Sequence, residues 1–252
     1  MRRPRAWAKD IAYLTAWASA PRVSPVRAIL MYHDVGGPAG PTEVAFDKQM
    51  RYLADRFLTV RLDGLPEALA GDEPVACVTF DDGYRDTCER AAPILADAEV
   101  PATFFLPSGL LGEKMDTSYG PREIVDADGA RDLSAAGHEI GAHTITHPRL
   151  TSLSRTETAH EVSGSRKDLE SILGVEVSTF AYPKGDHDDA VVWAVREAGF
   201  RLAVTVREGL LRGSLDRLRL PRVAVAASTT MTQFRAKLSG GLEVYEGWRG
   251  RA

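Results

Sequence analysis

Short runs of apolar or β-branched residues alternate along this chain with longer segments in which apolar residues recur at helical spacing. The apolar runs predict strands at 27–32, 75–80, 100–106, 138–142, 177–182, 202–206 and 218–225. The helical segments are 46–56, 84–98, 130–136, 154–173 and 189–198. Strands that alternate with helices are typical of a parallel sheet, and about seven of them favour a closed or nearly closed β/α barrel over two domains.

Three further features of the pattern bear on the organisation of the chain. Residues 109–129 are rich in Gly, Asp and Pro and are predicted to form a long loop, a kind of segment that often carries function. Ser154, with Glu157 three residues later, is a capping-box pattern that predicts the start of the fourth helix. Because no repeat, linker or low-complexity tract interrupts the pattern, a single domain is predicted over 26–239, with a frayed tail at 240–252.

The composition fits a globular domain. With 252 residues and 44% hydrophobic content, the chain has enough apolar surface for a sizeable core. Its 31 basic and 35 acidic residues give a formal net charge of -4, so a nucleic-acid partner is not expected. The two cysteines, Cys77 and Cys88, are too few for a disulfide framework and are predicted to be buried thiols.

Residues 1–25 are predicted to form a basic N-terminal arm. Its arginines and a later Ala-Ser-Ala resemble a secretory signal superficially, but the apolar part, 11–18, is only eight residues long. The arm also carries Trp7, Tyr13 and Trp17, which would let it lie on the domain or contact an anionic membrane surface. This pattern favours a cytoplasmic protein, with secretion or membrane association as the alternatives.

Two adjacent carboxylates, Asp81 and Asp82, directly follow the apolar run 75–80. Strand ends are where β/α barrels place their active sites, although an aspartate pair alone is more simply explained by a helix cap. Two histidines, His143 and His147, stand four residues apart after another predicted strand, which would place both imidazoles on one face of a helical turn. Such a pair alone is often incidental, but two imidazoles and one carboxylate form a standard three-ligand catalytic metal site.

The motifs at 79–83 (Thr-Phe-Asp-Asp-Gly) and 143–147 (His-Thr-Ile-Thr-His) carry a resemblance to a known family. In sequence, order and separation they are similar to those of polysaccharide deacetylases with a NodB-homology domain, carbohydrate esterase family 4. The resemblance covers roughly residues 27–225. It implies an α/β fold in the form of a distorted (β/α)7 barrel, a divalent metal, and hydrolysis of an acetyl group from a carbohydrate.

The resemblance also implies roles for single residues. In the family pattern the first acid, Asp81, is the general base, and Asp82 joins His143 and His147 as a metal ligand. Zinc is the expected ion, and cobalt or nickel would fit the same ligands. The expected partner is an N-acetylated carbohydrate substrate.

The third family motif departs from its usual form in this chain. Ala181 stands where the family has an arginine that orients the base. Arg222 is a candidate to pair with Asp81 in its place, with a surface ion pair as the alternative. The backbone N–H of Lys184 could still face the oxyanion because this role needs no particular side chain, although residues 182–185 alone would indicate only a turn.

The histidine that the last family motif usually supplies as general acid is absent from residues 220–223 (Leu-Pro-Arg-Val). Residues 31–35 (Met-Tyr-His-Asp-Val) resemble the opening motif of the poly-N-acetylglucosamine deacetylase branch, in which the histidine lies in the active site. His33 is therefore predicted to be the general acid, across the metal from Asp81. The alternative is a histidine that only makes a hydrogen bond at a strand end.

Together these features predict a metal-dependent deacetylase of N-acetylated sugars. One alternative keeps the metal site but changes the bond that is cleaved, to an O-acetyl ester or a cyclic amide. A second alternative is a catalytically degenerate barrel that only binds carbohydrate, which Ala181 and the missing late histidine favour slightly.

Overall fold

The structure, a computed structural model, describes residues 25–239, so the predicted arm at 1–25, apart from its last residue, and the predicted tail at 240–252 lie outside the described residues. The strands are β1 (Arg27–Tyr32), β2 (Leu58–Thr59), β3 (Val75–Phe80), β4 (Ala102–Leu106), β5 (Lys114–Thr117), β6 (Gly120–Glu123), β7 (Glu139–Ala142), β8 (Thr179–Ala181), β9 (Leu202–Glu208) and β10 (Leu220–Ala224). The helices are α1 (Glu43–Ala54), α2 (Leu65–Ala68), α3 (Arg85–Asp97), α4 (Ala127–Ala135), α5 (Arg155–Leu173), α6 (Asp189–Glu197) and α7 (Met231–Lys237).

Seven parallel strands close into a ring in the order β1, β10, β9, β8, β7, β4, β3 and back to β1. The closing pair, β1 and β3, is in register along its whole length, from Arg27 opposite Val75 to Tyr32 opposite Phe80. The short β2 pairs with the first residues of β3, and the pairing of β10 with β9 shifts register. The fold is thus the predicted distorted (β/α)7 barrel in a single domain.

Side chains alternate along the barrel strands between two buried layers. One layer fills the barrel interior and includes Ile29, Cys77 and Phe105, while the other lies between the strands and the surrounding helices. Cys77 and Cys88 are buried free thiols, as predicted. None of the helices within residues 25–239 is long and apolar enough to cross a membrane.

The predicted elements agree with the structure where an apolar pattern is strong. The strands at 27–32 and 75–80 have the predicted bounds, and α5 begins with the predicted capping box of Ser154 and Glu157. The predicted loop at 109–129 is wrong in part, because it contains the antiparallel β5–β6 hairpin. Both hairpin strands are at least partly exposed, so no apolar run marks them in the sequence.

Candidate active site

The two adjacent aspartates diverge where β3 ends. Thr79 faces the barrel interior, and Asp81 continues this alternation, so its buried carboxylate lies over the barrel axis. Asp82 takes the left-handed backbone conformation, with φ 69°, which turns its side chain away from the strand pattern. Gly83 has φ 66°, and a Cβ there would collide with the side chain of Leu106, so this turn requires glycine.

Arg222 of β10 pairs with Asp81. Its Nη1 and Nη2 donate to Asp81 Oδ1 and Oδ2 over 2.7 and 2.6 Å, while its Nε donates to the carbonyl of Thr205 over 2.9 Å. The guanidinium is completely buried, so this is not the surface ion pair considered as the alternative. Burial alone would raise the pKa of Asp81, but the charge and hydrogen bonds of Arg222 lower it below its ordinary value.

Asp82, His143 and His147 come together in a second cluster beside this pair. Asp82 Oδ1 lies 3.5 Å from His143 Nε2 and 3.3 Å from His147 Nε2. Two ligand atoms that each lie about 2.1 Å from one ion in a tetrahedral arrangement are about 3.4 Å apart. The spacing and the donor types therefore fit a small divalent cation such as zinc.

The protonation states in this cluster also fit metal binding. Burial raises the pKa of Asp82, but hydrogen bonds to His143 and His147 outweigh it and hold this pKa well below the ordinary value. Burial lowers the pKa of His147, which favours the neutral imidazole that a metal requires. The Nδ1 of His143 donates to the carbonyl of Ala181 over 2.7 Å, which leaves Nε2 directed at Asp82.

The helical turn predicted for residues 143–147 is wrong, because the segment is a bend. Thr144 and His147 have φ of 68° and 60°, and the His147 N–H donates to Thr144 Oγ1 over 3.0 Å. Glu161 of α5 holds the bend by accepting the N–H groups of Ile145 and Thr146 over 2.8 and 2.9 Å. Strained backbone of this kind persists only where neighbouring groups fix it, and it clusters at functional sites.

His33 lies beside Asp81. Its Nε2 is 3.7 Å from Asp81 Oδ2, and its side chain is 42% exposed to the cleft. The predicted position across the metal stays a prediction, but the imidazole lies next to the Asp81 carboxylate. The reason is the register of β1 and β3: Tyr32 lies opposite Phe80, so the next residue of each strand emerges side by side.

Lys184 lies in the wall of the same cleft, within the turn Pro183–Gly185. Its φ is 59°, another left-handed conformation for a residue other than glycine. Six of the seven predicted site residues thus follow the carboxyl ends of barrel strands, and the seventh, Arg222, reaches Asp81 from within β10. Their chemical roles stay predictions.

Sequence reasoning missed two residues that support Asp82. The Tyr84 hydroxyl donates to Asp82 Oδ2 over 2.7 Å, and the guanidinium of Arg122 lies 4.0 Å from the centre of the Tyr84 ring. Burial and the charge of Asp82 raise the pKa of Tyr84, so its hydroxyl remains a donor. The position of Tyr84, two residues after Asp82, was the available signal for the first contact. Nothing in the sequence indicates the second.

One cleft of about 550 Å³, within the usual range of small-ligand pockets of about 300–1,000 Å³, is lined by His33, Asp82, Tyr84, His147 and Lys184 among others. One wall is the β5–β6 hairpin, which contributes residues 115–119 and Arg122, and another contains His33, His147 and Lys184.

Comparisons with known proteins bear on this site. The family model described as polysaccharide deacetylase matches residues 69–203, more than half of the chain. YxkH of Bacillus subtilis (strain 168), named after the same activity, is 24% identical over 229 residues, which are 88% of this chain and 79% of that protein. A poly-β-1,6-N-acetyl-D-glucosamine N-deacetylase of Staphylococcus aureus (strain MSSA476) is 23% identical over 195 residues, 72% of this chain and 66% of that protein.

Among solved structures, the deacetylase PplD of Streptococcus pyogenes, in complex with acetate, matches with a TM-score of 0.76 at 22% sequence identity. The match covers 86% of this chain and 99% of that one, and at this identity it shows a shared fold. Four other relatives match this chain over only 23–42% of their own length.

Proposed function

Because the chain belongs to the polysaccharide deacetylase family, we propose that it hydrolyses the N-acetyl groups of N-acetylated sugars. The observation that carries this proposal is the contrast between two adjacent carboxylates. Asp81 is bound by an arginine and stays outside the histidine cluster, whereas Asp82 faces two imidazoles. Two carboxylates in such different surroundings are suited to different tasks, the first to take a proton and the second to bind a metal.

We propose that Asp82, His143 and His147 hold a divalent metal, with zinc as the leading choice and cobalt or nickel as alternatives. When bound, such an ion lowers the pKa of a water molecule and polarises the acetyl carbonyl. Tyr84 holds the other oxygen of Asp82, which leaves Oδ1 facing the two imidazoles. The site therefore needs little rearrangement to receive the ion.

Asp81 is the proposed general base and Arg222 the residue that positions it. The lowered pKa keeps Asp81 ionised at neutral pH, so it is ready to accept a proton from water. Both of its oxygens are fixed by a buried guanidinium that is itself held by the Thr205 carbonyl. The missing arginine at position 181 therefore does not leave the base without a partner.

His33 is the proposed general acid, and the Lys184 backbone N–H is the proposed partner of the oxyanion. After turnover Asp81 carries the proton taken from water, and His33 has given a proton to the departing nitrogen. The two groups are 3.7 Å apart, so a small movement would let the proton return from Asp81 to His33. Their side-by-side placement thus offers a way to reset both groups.

The first test is the Asp81→Asn variant. Its release of acetate from an N-acetylglucosamine oligomer should fall about 10²- to 10⁴-fold, because the base is lost while the shape is kept. Acetate should be measured in parallel from an O-acetylated sugar, with the bound zinc of both proteins determined by elemental analysis. Wild-type protein that releases acetate only from the ester would contradict N-deacetylation, and loss of zinc from the variant would show that ligand and base have been confused.

A further inference from the structure

Arg122 of β6 connects segments that follow two different barrel strands. Its Nη2 donates to Oδ1 of Asp34, after β1, and to Oγ1 of Thr87, in α3, each over 3.1 Å, and it also pairs with Asp86. The side chain is only 11% exposed, although arginine side chains are mostly solvated. The proposed chemistry does not use Arg122, so its burial calls for another explanation.

Asp34, the buried partner of Arg122, is held on several sides. It has no exposure to solvent, and its Oδ2 accepts the N–H of Ala39 over 3.1 Å while its Oδ1 accepts the hydroxyl of Thr87 over 3.0 Å. A Cβ on Gly37 would lie 2.3 Å from Asp34 Oδ2, so the loop backbone packs directly on the carboxylate. A buried carboxylate must be paired, and this requirement fixes the guanidinium of Arg122.

The same guanidinium lies against Tyr84. Its central carbon is 4.0 Å from the centre of the Tyr84 ring, within the distance of a cation–π contact. The Tyr84 hydroxyl donates to Oδ2 of Asp82 over 2.7 Å. The contacts thus form one chain from Asp34 through Arg122 and Tyr84 to a proposed metal ligand.

The backbone makes a second connection between the β5–β6 hairpin and the turn that carries Asp82. The N–H of Val125, two residues after β6, donates to the carbonyl of Gly83 over 2.9 Å, and Tyr84 forms an isolated antiparallel bridge with Ile124. The hairpin and the turn that bears the proposed ligand therefore pack as one unit.

The Tyr84 hydroxyl determines which oxygen of Asp82 is available. Oδ1 faces the imidazoles of His143 and His147, whereas Oδ2 accepts the tyrosine hydroxyl. Because a carboxylate can bind a metal through one oxygen or both, loss of this hydrogen bond would allow a different set of ligand atoms. The contact of Arg122 with the ring restricts the movement of Tyr84 and so keeps the hydroxyl in place.

We propose that Arg122 is a positioning residue for the metal site and that it acts through Tyr84. By holding the tyrosine it keeps Oδ2 of Asp82 out of the ligand set, and it couples metal affinity to the docking of the hairpin on the barrel. Such coupling is reciprocal, so a bound metal should also stabilise the docked hairpin. This inference rests on the proposed metal site and adds residues outside the ligand set that control it.

The test is a double-mutant cycle of Arg122→Met and Tyr84→Phe, with zinc affinity measured by titration of the metal-free proteins against a competing chelator. Each single variant should bind zinc about 10-fold more weakly, as is typical when a partner of a metal ligand is removed. Because Arg122 acts through Tyr84, the double variant should bind zinc no more weakly than Tyr84→Phe alone. Multiplied losses in the double variant, or unchanged affinity in Arg122→Met, would overturn the proposal.

Two further measurements distinguish positioning from a general loss of stability. The visible spectrum of the cobalt-loaded protein reports ligand number and geometry, and it should change in the same way in Arg122→Met and Tyr84→Phe. Zinc should slow the hydrogen exchange of residues 114–123 in the wild type and have a smaller effect in Arg122→Met. Identical cobalt spectra in all three proteins would overturn the control of Asp82, and equal effects of zinc on exchange would overturn the coupling.

Arg85→Met is the matched control. Arg85 joins the end of the hairpin to the start of α3 through Glu123 over 3.7 Å and Asp126 over 2.8 Å, and none of the contacts that the structure describes for it involves the Tyr84 ring. Its zinc affinity and cobalt spectrum should therefore match those of the wild type. A loss of affinity as large as that of Arg122→Met would assign the effect to hairpin docking in general and overturn the role of the ring contact.

If Arg122→Met does not fold, the cycle is measured with Asp34→Asn in every protein, which removes the carboxylate that would be left unpaired. The outcomes also separate this inference from the proposed function. Wild-type protein that binds neither zinc nor cobalt contradicts the metal site and the inference with it. Zinc binding by the wild type that none of the variants changes overturns only the role of Arg122.

Discussion

At the scale of single residues, the buried guanidinium of Arg222 favours the ionised form of Asp81, the candidate base. It contacts both oxygens of Asp81 and also Thr79, and it has no exposure to solvent. Because the folded pKa of Asp81 is below its unfolded value, the pair contributes its full stabilisation above about pH 3.9. That contribution is lost as the pH falls through the folded pKa.

Arg222→Gln should therefore move the acidic limb of the kcat/KM profile to higher pH. Without the guanidinium, burial dominates and raises the pKa of Asp81, so the ionised base is lost at a higher pH than in the wild type. The variant should also lose about 3–5 kcal/mol of unfolding free energy, since a buried charge is left unpaired. Activity profiles and urea denaturation would measure the two effects.

The control for this prediction is the double variant Arg222→Gln with Asp81→Asn. Removing both charges should recover part of the lost stability, because no unpaired carboxylate remains in the barrel. An acidic limb that stays in place in Arg222→Gln would mean that Arg222 does not set the pKa of the base.

At the scale of elements, the geometry of the candidate metal site depends on a contact between a helix and a bend. Glu161 of α5 holds two N–H groups of the 143–147 bend and the hydroxyl of Thr146. Glu161→Ala should lower zinc affinity about 10- to 100-fold, as is typical when a partner of the ligand segment is removed. Isothermal titration of the metal-free protein with zinc would measure this.

Glu157→Ala on the same helix is the matched control. Glu157 completes the capping box with Ser154, so its removal should cost about 1 kcal/mol of stability. It makes no contact with the bend among the hydrogen bonds that the structure describes, so zinc affinity should stay unchanged. Equal losses of affinity in both variants would assign the effect to the stability of α5 rather than to the bend.

The helices, strands and motifs differ in how well the sequence predicts them. Strands with a continuous apolar pattern were predicted well, and each motif was placed correctly at a strand end. The placement of His33 beside Asp81 was not predicted, because the register between β1 and β3 depends on barrel closure, which no local pattern encodes. The anchoring of Arg122 by Asp34 joins residues 88 positions apart, and neither has a spacing signal.

At the scale of the whole molecule, the candidate metal site joins the segments that follow β3 and β7. An ion that binds only the folded state stabilises it by mass action, by about 2.7 kcal/mol at a free concentration 100 times Kd. For a domain of this size, Tm should rise about 5–10 °C on adding zinc to the metal-free protein. A chelator should reverse the change, and differential scanning calorimetry would measure it.

Two variants of adjacent residues control this measurement. Asp82→Ala should abolish the effect of zinc on Tm, while Asp81→Asn should keep it, because only the first removes a proposed ligand. The same shift in both variants would place the zinc elsewhere on the protein.

The bond between Arg222 and Asp81 has a consequence for how such enzymes can diverge. The family pattern supplies an arginine at the position of Ala181 on β8, whereas here the partner of the candidate base, Asp81, comes from β10, two strands further round the ring. In a closed barrel, inward side chains from different strands converge on one axis. During evolution a functional side chain can therefore be replaced by one on another strand that contacts the same target. Loss of a motif residue in a relative is therefore weak evidence of lost activity until the inward positions of the other strands have been inspected.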